Sequence, residues 1–178
     1  MTDRLRQGLG IALAMGITAT AAQASAAPFM FRNLKNEQSC LSVAGGNMTP
    51  GTHLILWLCK GSADQFWNVS AFSGNFYQLY DGAAPAPPDS QSRCAGLSGG
   101  SSNNGTQGVI AECTAATPDQ GWQFIFRNWD ANGHPCYLIS SMENANRVLG
   151  PSNGVTSNGT SVILWDWLNH VDQLWCTY

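Results

Sequence analysis

A four-residue motif recurs three times in this chain, as Asp64-Gln65-Phe66-Trp67, Asp119-Gln120-Gly121-Trp122 and Asp172-Gln173-Leu174-Trp175, at spacings of 55 and 53 residues. Repetition at a fixed period constrains a fold more tightly than composition, because like units must bury one another's apolar faces. Upstream of the first motif lie Cys40-Leu41-Ser42, Gly51-Thr52 and the apolar run Leu54 to Cys59. The second copy carries Cys94-Ala95-Gly96, Gly105-Thr106 and Val109 to Cys113, and the third Val148-Leu149-Gly150, Gly159-Thr160 and Val162 to Trp167. Cys40 to Gln65 and Val148 to Gln173 each span 25 residues, and Cys94 to Gln120 spans 26.

The register selects among the fifteen pairings that six cysteines allow. Cys40 and Cys59 are 19 residues apart, as are Cys94 and Cys113, so each pair is assigned within its own unit. Each closes a loop worth roughly 3 kcal/mol by chain entropy. Val148 and Trp167 fill those positions in the third unit, which leaves Cys136 and Cys176 for one another.

Residues 1–26 read as a secretory signal peptide: Arg4 and Arg6, an apolar stretch from Leu9 to about Ala22, and a small-residue end at Ala24-Ser25-Ala26. The apolar stretch is shorter than the ~20 residues a bilayer crossing needs, so membrane insertion is not expected. The expected location is extracellular, or periplasmic in a Gram-negative bacterium, and an even cysteine count suits that oxidising setting. The remaining 152 residues, 27–178, are expected to form one domain, with units of about 27–72, 73–128 and 129–178. This part carries 6 Lys/Arg against 10 Asp/Glu, a balance that disfavours nucleic-acid binding, which needs a basic patch.

Short apolar or alternating runs between Gly, Asn, Ser and Pro clusters, without sustained helical periodicity, make the class all-β. Strands are expected over Phe29–Asn33, His53–Cys59, Phe76–Tyr80, Phe124–Asn128, Tyr137–Ser141 and Ser161–Trp167, with Gly82–Arg93 and its three prolines as an exposed loop. A unit this small cannot bury its own apolar face, so three must close against one another and remove open sheet edges.

With its Gln-x-Trp in each of three repeats, its intra-repeat Cys pairs and its Leu56-Trp57-Leu58-Cys59 strand, the chain resembles the ricin B-type lectin family. The resemblance covers essentially all of residues 27–178. It implies a β-trefoil with pseudo-threefold symmetry, a six-stranded barrel capped by three hairpins, and the binding of galactose-containing or other glycans in one shallow pocket per repeat. The Gln-x-Trp residues themselves are read as structural, the tryptophans filling the threefold axis and the glutamines satisfying backbone groups.

Sugar recognition needs an aromatic face against the apolar side of a pyranose and convergent polar groups for its hydroxyls. By the resemblance, the aromatic lies two positions before the second Cys, which is Trp57 in the first repeat, Ala111 in the second and Trp165 in the third. The family's hydroxyl-binding Asp, two residues after the first Cys, is replaced by Ser42, Gly96 and Gly150. Asp64, Asp119 and Asp172, before the motif Gln, either replace part of that grip or cap tight turns. The candidate carbohydrate-binding residues are Trp57, Asp64, Trp165, Asp172, Asn47 and Asn153, with Lys60, Asn169 and His170 in their neighbourhood.

His53, His134 and His170 lack metal-ligand spacing, so neither a metal nor another cofactor is expected, and no hydrolase elbow or nucleotide-binding loop occurs. The chain is therefore read as a binding protein rather than an enzyme. Asn47, Asn68, Asn104 and Asn158 match the glycosylation pattern, as Asn-, Ser- and Thr-rich loops also do by chance. Two functions compete. One is a secreted lectin for glycans or polysaccharide, using the first and third pockets. The other is a trefoil without sugar binding that contacts a protein partner, as a toxin binding subunit or an inhibitor does. Loss of the Asp in every repeat favours the second, and retention of Trp57 and Trp165 favours the first.

Overall fold

The computed structural model describes residues 27–82, 92–115 and 117–178. The expected signal peptide and most of the proline-containing loop lie outside them. Twelve strands follow in order: β1 (Phe31–Asn33), β2 (Asn36–Val43), β3 (Leu54–Leu58), β4 (Trp67–Ser73), β5 (Phe76–Asp81), β6 (Arg93–Leu97), β7 (Gly108–Glu112), β8 (Trp122–Trp129), β9 (Pro135–Ser141), β10 (Arg147–Pro151), β11 (Val162–Asp166) and β12 (Trp175–Thr177). The described residues hold no α-helix, and the protein is an all-β trefoil, as its repeats imply.

Six strands close a barrel. β1 pairs with β12, β12 with β9, β9 with β8, β8 with β5 and β5 with β4, all antiparallel. The ring shuts where Phe29 and Trp67 exchange backbone hydrogen bonds of 3.0 and 2.8 Å. Closure leaves no edge on this part of the sheet to pair with another chain.

The other six strands form the hairpins β2–β3, β6–β7 and β10–β11, which cap the barrel. They interlock cyclically: the Gly51 N–H donates to Ile110 O, that of Gly105 to Leu164 O and that of Gly159 to Leu56 O, at 2.8, 2.9 and 2.8 Å. Ile110, Leu164 and Leu56 N–H groups return bonds of 2.8 Å to Thr52, Thr106 and Thr160. The Gly-Thr pairs of the sequence are thus the junctions between units, and their φ of +91°, +87° and +82° explains the glycine in each.

Trp67, Trp122 and Trp175 are buried at the centre with Leu41, Leu54, Leu56, Ile110, Leu149 and Leu164. The disulfides are Cys40–Cys59, Cys94–Cys113 and Cys136–Cys176, the pairing that the repeat register predicts. The expected strands correspond to β1, β3, β5, β8, β9 and β11. β4 escapes a sequence reading because only its first residue is buried outright and polar residues interleave the rest. β6 and β10 contain Gly96 and Gly150, which read as breaks but pair in register with Val109 and Ile163.

Candidate functional site

The Gln-x-Trp residues build the scaffold under each candidate pocket. The Trp67, Trp122 and Trp175 indole N–H groups donate to Leu41, Ala95 and Leu149 carbonyls at 3.1, 2.9 and 2.9 Å. Gln65 Oε1 accepts from the Lys60 and Gly61 N–H groups at 2.8 and 3.1 Å, while its Nε2 donates to Leu58 O at 2.9 Å. Gln173 repeats this, accepting from the Leu168 N–H and donating to Asp166 O, both at 2.9 Å. Each glutamine pins the loop after its hairpin, so these residues are committed to the fold.

The hairpins carry the aromatic platforms on their outer face. Trp57 on β3 stands opposite Cys40 and Trp165 on β11 opposite Val148, with Ala111 opposite Cys94 in the second unit. Trp57 and Trp165 are 39% and 40% exposed, in contrast to the three core tryptophans at 1% or less. The exposed pair lies on the hairpin strands β3 and β11 and the core set at the starts of β4, β8 and β12; next to the exposed rings, Leu56 and Leu164 point inward and are fully buried.

The positions where the family carries its Asp are filled from within. Ser42 is buried, with Oγ donating to Cys40 O at 3.1 Å and accepting from Gln65 Nε2 at 2.9 Å. A β-carbon on Gly96 or Gly150 would stand 3.2 or 3.1 Å from Cγ of Gln120 or Gln173, so the motif glutamine occupies that space.

Asp64, Asp119 and Asp172 sit at the middle of the 3-10 turns Ala63–Gln65, Pro118–Gln120 and Val171–Gln173. They do not cap these turns, which close through backbone bonds such as Gln65 N–H to Ser62 O at 2.9 Å. Among the described residues no hydrogen bond or ion pair reaches the Asp172 carboxylate, although the residue is only 9% exposed. A β-carbon on Gly154 would lie 3.3 Å from its Oδ2, and one on Gly46 3.9 Å from Asp64 Cβ. The Asp172 oxygens are not buried, unpartnered atoms; they open to solvent at the surface of the turn, where they can accept hydroxyl hydrogens from a ligand.

In the third unit these groups share a cavity of about 600 Å³. Trp165, Asp172, Asn153, Ile163 and His170 line it, with the backbone of Gly150 at its wall. Lys35 and Leu168 also line it; Leu168 is the repeat equivalent of Lys60, but repeat alignment misses Lys35. Leu168 follows the hairpin, whereas Lys35 comes from the first unit and reaches across the seam where the chain closes on itself. Asn169 is not among the lining residues and takes a left-handed turn at φ +60°. In the first unit, Asn47 Oδ1 is held by the Thr49 N–H and hydroxyl at 3.0 and 2.7 Å. The Lys60 N–H belongs to Gln65.

Among the described residues no three His, Cys, Asp or Glu side chains gather as a metal site, and no helix is long and apolar enough to cross a membrane. Three disulfides suit an oxidising compartment.

A family model described as the ricin-type beta-trefoil lectin domain matches residues 27–175. No curated protein matches the chain. Among solved structures, the designed threefold-symmetric protein ThreeFoil superposes with a TM-score of 0.71 at 16% identity, over 85% of this chain and 98% of its own. The ricin B-like lectin of Macrolepiota procera, solved in complex with lactose, gives 0.62 at 19% identity, over 88% and 98%. The cytolethal distending toxin of Actinobacillus actinomycetemcomitans gives 0.59 at 12%, over 84% and 88%. The family match spans almost the whole described fold, and by it this chain belongs to the ricin-type β-trefoil lectin family.

Proposed function

We propose that the chain is a secreted glycan-binding protein whose principal site is the third-unit cavity, with a second site at Trp57 and Asp64. One observation carries this reading: the exposed Trp165 lines the same cavity as Asp172, whose carboxylate has no hydrogen-bond partner among the described residues. An aromatic plane and a lone acceptor are the two elements that pyranose binding needs. Trp165 would stack on the C–H face of the sugar, Asp172 would accept from its hydroxyls, and Asn153 would supply an amide. The second unit, with Ala111, contributes no platform. Residues 1–26 act as the export signal, and 27–178 form the mature domain of three units.

A second reading, contact with a protein partner, draws on an apolar groove lined by Phe29, Phe31, Val69, Tyr77, Phe124 and Tyr137 on the barrel strands, away from the candidate sugar sites. Phe126 and Trp129 beside it are 47% and 57% exposed. Similarity in fold to a chain of a cytolethal distending toxin accords with this alternative.

A glycan array probed with residues 27–178, disulfides formed, tests the first reading beside a Trp57→Ala/Trp165→Ala double variant. Loss of binding in the folded variant supports it. Absence of binding by the wild type to any glycan turns attention to the groove and a protein partner.

A further inference from the structure

We propose that the third-unit cavity selects saccharides that carry a carboxylate, a hexuronate or a sialic acid, and that Lys35 receives the charge. This inference rests on the reading of that cavity as a saccharide site.

The argument begins with Asn33, a fully buried residue at the end of β1. Its Nδ2 donates to the backbone carbonyl of Asp172 at 2.6 Å, and its Oδ1 accepts from the backbone N–H of Lys35 at 3.2 Å. One carboxamide therefore ties the turn bearing the cavity's anion to the turn bearing its cation, across a separation of 139 residues. The Lys35 ammonium then donates to Gly154 O at 2.7 Å, which holds it over the Ser152–Gly154 turn. Ser39 Oγ, donating to Thr156 O at 2.9 Å, fastens the same seam one strand further on.

The charges are left unmatched. An ammonium has three donors, and a carbonyl takes one of them. Among the described residues the ion pairs are His134–Asp130 and Arg147–Asp166, so no carboxylate neutralises Lys35, and Lys35 does not pair with Asp172. A neutral pyranose would satisfy Asp172 with hydroxyls and leave the ammonium to water. A saccharide with a carboxylate on the same ring frame would satisfy both poles, its carboxylate taking charge-assisted bonds roughly twice as strong as neutral ones. His170, on the same lining, offers a further donor.

The test is calorimetric titration of residues 27–178 with matched pairs: galacturonate against galactose oligomers, glucuronate against glucose oligomers, and sialyllactose against lactose. The wild type is compared with Lys35→Met, which keeps the aliphatic stem, and Lys35→Arg, which keeps the charge, each confirmed folded by circular dichroism. We expect the wild type to favour an acidic member by about tenfold, the size of one charge-assisted bond. Lys35→Met should abolish that ratio and Lys35→Arg retain most of it. The acid that is preferred distinguishes a uronate from a sialic acid. Neutral binding without acidic preference, or a preference that survives Lys35→Met, overturns this inference and leaves the lectin reading standing. No binding to any member overturns both.

Discussion

Trp165 is seated on Gly105: a β-carbon on that glycine would lie 3.8 Å from Trp165 Cζ3, and Gly159 stands to Trp57 in the same way at 3.9 Å. Each exposed platform thus leans on the Gly-Thr junction of a neighbouring unit, and the junction that locks the cap also orients the ring. Both glycines have φ beyond +80°, where a side chain is strained.

Gly105→Ala separates these roles. Its new methyl meets Trp165 at ordinary contact distance, so the penalty is conformational, about 1–2 kcal/mol for a non-glycine residue in left-handed backbone. Thermal unfolding should show a Tm lower by roughly 2–8 °C. An unchanged Tm would mean the junction is less constrained than its φ indicates.

Ala111→Trp should add a platform in the second unit. Gly51 there has φ +91° and nothing within 4 Å of its β-carbon position, which leaves room for the ring that its counterparts support. Residue 111 is already half-buried on the outer face of β7, so the Tm should stay within about 2–4 °C of wild type, a change of about 1 kcal/mol. Equilibrium titration with a bound glycan should show one more site per chain than the parent. The wild-type stoichiometry would instead place the limitation in Gly96 or Asp119.

Gln173→Ala removes the acceptor for the Leu168 N–H and the donor to Asp166 O. An unsatisfied buried partner costs about 1–3 kcal/mol. The midpoint of urea unfolding should fall accordingly, and glycan binding should weaken because the freed loop carries His170 and Leu168 to the cavity.

Acid and alkaline stability should both pass through Asp130. Burial would raise its carboxyl, but hydrogen bonds from the Tyr178 hydroxyl, the His134 and Asn132 N–H groups and the His134 ring outweigh burial and hold it well below the usual carboxylate range. A depressed value contributes stability above about pH 4 that is lost as pH falls towards the folded value. Tyr178 is pushed up to about 12, by burial first and by its bond to Asp130 second. Its contribution is complete below about pH 10 and is lost as pH rises through the folded value. Asp130→Asn should flatten the acid limb of the stability profile and bring phenolate absorbance in at lower pH.

The sequence disclosed the parts of this molecule that repeat. The motif register predicts the three disulfides, the core tryptophans and the exposure of Trp57 and Trp165, because equivalent positions in like units have like environments. β6 and β10 are less legible, since Gly96 and Gly150 weaken a strand pattern whose pairing is decided by tertiary contacts. Lys35 is least legible of all. Its place in the third cavity depends on the first unit closing on the last through Asn33, and comparison of one repeat with another carries no information about what meets across a seam. The aspartates before the motif Gln left two readings open, and side-chain geometry removes the capping one.

Gly150→Asp would place the family's usual residue in the third unit, and it should fail as a simple restoration. Its β-carbon would stand 3.1 Å from Gln173 Cγ, and Gln173 is fixed by Leu168 and Asp166. The glutamine must therefore give way, and a second carboxylate would enter the cavity that Asp172 lines. Two like charges there cost more when both are ionised, which raises at least one carboxyl pKa. Unfolding should show a loss of about 1–3 kcal/mol, the usual cost of overpacking. Glycan affinity should fall at neutral pH and partly recover on mild acidification, as one carboxyl takes up a proton. Tighter neutral-pH binding by Gly150→Asp would instead mean that Asp172 lies outside the sugar grip.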